Sequence, residues 1–161
     1  MDFKAKFKTF KDKAVKLKDT VIEKSAESLM DSSFTITKIE DLNSIIKESA
    51  ATTFVSKKTG ETKMFKHRVV VVFGDEKSDF FKKALYMFPV LVTKAFSQNI
   101  KLKLATINIK ELDLSTYGVK IIPSLVVFEE EKVLKIIEGE DNIFKLVKSA
   151  NLDINKQIDN F

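Results

Sequence analysis

A proline lodged in an apolar, strand-like run constrains this chain more than any other feature. Residues 117–128 read YGVKIIPSLVVF, with Pro123 between Ile122 and Ser124. Proline has no N–H to give to a sheet ladder, so inside such a run it belongs at an edge, a bulge or a special turn. The fold must therefore bring a strand to a groove or margin at this point. The chemistry is bounded just as sharply, because the chain has no cysteine and one histidine, His67. Disulfides, thiolate nucleophiles, zinc–thiolate sites and iron–sulfur ligation all need a cysteine thiol, which is absent.

With 161 residues, 44% of them hydrophobic, the chain has material for one core and an appended element, since domains usually run to ~100–150 residues. Its 28 basic and 23 acidic side chains leave a net charge of +5. That favours solubility and weak attraction to anionic surfaces without demanding a polyanion. Nucleic acid is not an expected partner, because Arg68 is the only arginine. No run approaches the ~20 apolar residues of a membrane span, and charges throughout the N-terminus leave no signal-peptide core. The expectation is a cytoplasmic protein, with attachment to a membrane surface left open.

The N-terminal segment, residues 1–31, reads as an amphipathic Lys/Phe-rich helical extension. Phe3, Phe7, Phe10, Ala14, Leu17 and Val21 recur at spacings of four and three, which places them on one helix face among eight lysines. The same spacing suits packing on the rest of the chain, a short coiled-coil seam with a second copy or partner, or an interfacial helix on an anionic membrane. Asp31-Ser32-Ser33 ends the pattern, and residues 34–161 read as one α/β domain.

Within that domain FTITKI opens a strand, and a short helix follows from Glu40 or Asp41 to about Ser49. Residues 50–66 suggest a hairpin-like insertion turning at Thr59-Gly60. RVVVVF (68–73) has the continuous β-branched character of a buried central strand. A long helix over 79–98 is expected to be interrupted near Pro89. Leu102–Ile109 is the next strand, Leu112–Tyr117 a short helical connection, and the proline run leads into the strand after it. Lys132–Gly139 should return antiparallel, and 142–150 should form a closing helix. Val69–Phe73, Leu104–Ile109, Leu125–Phe128 and Val133–Ile137 should share one sheet with helices on both faces.

From Arg68 to Leu152 this order and its landmarks resemble the thioredoxin-like superfamily. NIKELDLSTYGVKIIPSLVVF is similar to that family's Asn-Ile-Asp, Tyr-Gly-Ile, Ile-Pro-Thr and Leu-Phe series, in order and nearly in spacing, and Gly139 matches its glycine before the last helix. The resemblance implies a central mixed sheet flanked by helices and a cis peptide before Pro123. It departs at the chemistry. Counted from Phe73, the family's Cys-Gly-Pro-Cys falls on Ser78, Asp79, Phe80 and Phe81. The family's buried acid becomes Val72, its partner lysine Thr106, and the tryptophan beside the motif Gly74. A serine hydroxyl stays protonated near neutral pH, so the resemblance is to a redox-inactive member and no catalytic residue is assigned.

Three functions follow as expectations. The first is non-enzymatic: a protein-interaction or assembly module binding a partner, or a second copy, through a groove lined by Ser78, Asp79, Phe80, Phe81, Ile122, Pro123 and Ser124, through the N-terminal helix, or both. Backbone beside the family's cis-proline pairs with extended substrate, a form of strand addition that survives loss of sulfur. Of Phe80 and Phe81, one is expected in the core and the other as a groove anchor. The second is recruitment to an anionic membrane surface through the N-terminal helix. The third is a glutathione-binding enzyme using the Ser78 hydroxyl, against which stands the plainer role of Ser78 or Asp79 as helix N-cap. No cofactor or metal is expected. His67 has no triad partner in a recognisable motif, Glu129-Glu130-Glu131 reads as a solvated turn, and four glycines make no phosphate loop.

Overall fold

The computed structural model describes residues 34–149 and 153–161. The extension of residues 1–31 lies outside the described residues. A five-stranded sheet in the order β1-β5-β4-β6-β7 organises the rest, with β1 (Thr35–Ile36), β4 (Arg68–Gly74), β5 (Ile100–Thr106), β6 (Ser124–Glu129) and β7 (Lys132–Glu138). β4 runs parallel to β5 and antiparallel to β6, and β6 pairs antiparallel with β7.

β4 is central because its side chains are apolar on both faces. Val70 and Vаl72 point into one core with Phe80, Phe81, Leu85 and Phe88 of α2 (Asp79–Ser97), and with α3 (Glu140–Lys148) and α4 (Ile154–Asp159). Val69, Val71 and Phe73 alternate to the other side, against Leu42 and Ile45 of α1 (Ile39–Lys47). This two-sided burial is what a continuous β-branched run encodes.

Several boundaries differ from the sequence expectation. The first strand shrinks to two residues, and β5 occupies 100–106 rather than 102–109. The interruption expected at Pro89 does not occur, since α2 runs unbroken through it. An interior proline removes one backbone bond and crowds the preceding turn, yet Leu85, Phe88 and Ala95 hold both halves of the helix in the core. The closing helix starts two residues early, at Glu140, and α4 follows it unforeseen. The lone arginine anchors α4: Arg68 donates to Asn155 Oδ1 at 3.2 Å and Asp159 Oδ1 at 3.0 Å, with Glu129 at 3.9 Å. Lys135 Nζ donates to the Ile158 carbonyl at 2.7 Å, satisfying the end of α4.

The insertion is a separate two-stranded hairpin, β2 (Thr52–Val55) with β3 (Thr62–Phe65). His67 stands at its base, its Nε2 2.9 Å from Thr52 Oγ1. No helix among the described residues is long and apolar enough to cross a membrane.

Candidate functional site

β4 ends at Gly74, and a turn through Asp75, Glu76 and Lys77 delivers the chain to Ser78 and helix α2. Ser78 is the N-cap. Its Oγ accepts the Phe81 N–H at 3.2 Å and donates to the Asp75 carbonyl at 2.6 Å, so its one proton is committed within the turn. The hydroxyl thus serves the helix start, the plainer of its two expected roles. Asp79 is exposed in the first turn.

Phe80 and Phe81 are both buried, 4% and 0% exposed, so the expectation that one of them anchors a partner in the groove is corrected. Phe80 packs against Phe144 with ring centroids 5.3 Å apart. Phe81 fills the space above Gly74, where any side chain would collide with its ring. A helix whose first turn must cover the sheet end has turned these residues inward. Beneath them Val72 is buried, and Thr106 Oγ1 accepts the Asn108 N–H at 3.2 Å. Ser49, Thr106 and Ser124 are the buried polar side chains among the described residues, and none ionises near neutral pH.

Beside this plug lies the proline loop. Asp113 caps a short 3-10 turn, Leu114–Tyr117, by accepting from the Ser115 N–H at 3.0 Å and its hydroxyl at 2.5 Å. Those hydrogen bonds hold its carboxyl below the usual range. Tyr117 stacks on Phe73 at 6.0 Å and meets Phe128 edge-on at 5.5 Å; burial there pushes its phenol up. Gly118, at φ 81°, turns the chain toward Lys120 and Ile121. The Ile122–Pro123 peptide is cis. Pro123 accepts from the Gly139 N–H at 2.9 Å, and the Ser124 hydroxyl donates to the Ile121 carbonyl.

Ser124 is fully buried between Phe73 and Glu138 of the neighbouring strands. Its side chain therefore supports the loop from below and cannot itself touch a ligand, a correction to its place in the expected groove. The backbone N–H and C=O of Ile122 have no hydrogen-bond partner among the described residues. Ile121, which the sequence reading passed over, is 53% exposed beside them. An isoleucine pair directly before the proline was the available signal, since two adjacent residues in an extended loop cannot both face inward. Ser78 and Asp79 on one side and Ile122 and Pro123 on the other flank the end of β4, which supplies both Gly74 and the Phe73 that pairs with Ser124.

No protein-family model and no curated protein matches the chain. Solved structures do. Oxidised thioredoxin from Plasmodium falciparum superposes with a TM-score of 0.52 at 12% identity, over 73% of this chain and 97% of that one. Thioredoxin from Fasciola hepatica gives 0.51 at 15%, over 73% and 95%. Mitochondrial thioredoxin 3 from Saccharomyces cerevisiae gives 0.51 at 13%, over 79% and 97%. This chain has the thioredoxin-like fold and lacks the cysteines through which that fold exchanges disulfides.

Proposed function

We propose that this cysteine-free thioredoxin fold is a non-catalytic interaction module that binds an extended segment of a partner protein by strand addition at Ile122. The observation that carries the reading is the unpaired Ile122 backbone beside a loop held rigid from beneath. Exposed N–H and C=O groups at the rim of a sheet are a template for another strand, and alternate side chains of that strand supply specificity. Here the loop is pinned by Ser124 to Ile121 and by Gly139 to Pro123, so ordering it on binding costs little. Ile121 projects as the apolar contact next to the template.

A buried aromatic plug replaces the redox centre, which converts a reactive floor into an inert one without disturbing the loop. The test is selection of peptides from a displayed library on the full chain, followed by amide chemical shifts on the bound complex. Peptides that shift and protect the Ile122 amide, and that weaken with Ile121→Asp, support strand addition. Peptides that bind and leave residues 120–122 unperturbed would overturn it.

A further inference from the structure

An exposed apolar display lies at the opposite end of β4 from the proline loop. Phe54, Val55, Met64 and Phe65 of the β2–β3 hairpin are 50–59% exposed. In the register Thr52↔Phe65 and Phe54↔Lys63, side chains directly opposite share a face, so Phe54 and Phe65 stand diagonally on one face and Val55 and Met64 on the other. A two-stranded hairpin is marginal alone and gains nothing from apolar side chains left in water. A partner surface that covered them would remove that cost.

Charge identifies the cover. Residues 52–66 carry Lys57, Lys58, Lys63 and Lys66 against Glu61 alone, with Lys66 3.7 Å from Glu130 across an exposed pair. The hairpin base opens on a cleft of about 300 Å³ lined by Phe34, His67, Val92 and Phe96, the last 81% exposed. The residues before the described chain carry eight lysines against Asp2, Asp12, Asp19 and Glu23 over positions 2–24. Folding that segment over the hairpin would set one basic element on another. An anionic surface accepts both.

We propose that the β2–β3 hairpin docks on an anionic lipid bilayer, burying Phe54 and Phe65 at the headgroup boundary while its lysines meet the lipid charge. Aromatic side chains flanked by lysines are the composition of interfacial segments. The proline loop, at the other end of β4, remains free.

Flotation of the full chain with phosphatidylcholine vesicles, with and without phosphatidylserine, tests this. Binding should require phosphatidylserine and fall with added salt. Phe54→Ser with Phe65→Ser should weaken it at least about tenfold, and Lys57→Glu, Lys58→Glu and Lys63→Glu together should abolish it, both with unchanged melting. The chain has no tryptophan, so Phe54→Trp should report entry by a blue shift on those vesicles alone. Absence of vesicle binding would overturn the proposal. So would binding that survives the hairpin variants and is lost only in Phe7→Ser with Phe10→Ser. Hairpin variants that alter only the oligomeric state would assign the surface to a second copy instead.

Discussion

The Cβ that Gly74 lacks would stand 3.0 Å from Cδ2 of Phe81 and 3.7 Å from the ring of Phe80. Gly74 on the strand and Phe81 on the helix are thus complementary, the ring of one filling the space that the other leaves by having no side chain. Phe81 is fully buried. Gly74→Ala is expected to destabilise by about 1–3 kcal/mol through overpacking. Phe81→Leu in the same chain should recover part of that loss. Denaturant midpoints of the unsubstituted chain and the two variants check both.

Ser78 acts on the helix rather than on a ligand. Ser78→Ala should cost about 1 kcal/mol as the Phe81 N–H loses its acceptor, and Ser78→Asp should retain most of the stability. Thermal unfolding distinguishes the two, and neither variant should change peptide binding at the proline loop.

Glu130 and Glu131, at φ 53° and 62°, form the two-residue turn between β6 and β7. Turns of that kind favour Asn-Gly, because both central residues take a left-handed conformation that a Cβ resists. Glu130→Asn with Glu131→Gly is expected to stabilise by about 0.5–1 kcal/mol. The exposed pair with Lys66 is a minor loss by comparison. A fall in the melting temperature would show that the Ser49 contacts to the Glu130 and Glu131 N–H groups, 2.8 and 2.9 Å, depend on these side chains.

Asp113 gives the proline loop an acid dependence. Its folded pKa lies below the ordinary 3.8 because Ser115 donates to its carboxylate twice. The contribution is full above the unfolded value and is lost as pH falls through the folded one. An NMR titration should place the Asp113 midpoint below 3.8. Asp113→Asn should remove that part of the acid unfolding curve.

Pure protein should reduce no insulin disulfide. Exchange needs a thiolate as nucleophile and leaving group, and the chain has no sulfur but that of methionine. Precipitation faster than a protein-free control would contradict this.

Much of the architecture was legible because its signals are local. Val69–Phe73 announces a buried central strand by composition alone, Thr59-Gly60 marks the hairpin turn, and the Tyr117–Phe128 series points to the fold through several landmarks in order. Helix α4 has no such signal, because its six residues carry little periodicity; Arg68 and Lys135, distant in sequence, secure it.

Sequence by itself determined the chemistry this chain lacks, since a missing element cannot be restored by folding. It also determined the order of the strands and of the longer helices, which follows from alternation and turn residues along the chain. Only the tertiary structure decided what fills the sheet end beside the proline loop. Whether Phe80, Phe81 and Ser124 face solvent depends on the space left by Gly74 and by neighbouring strands, a property of packing between residues far apart. The same holds for the apolar hairpin: Phe54 and Phe65 read as ordinary strand residues until the sheet is assembled and leaves them uncovered.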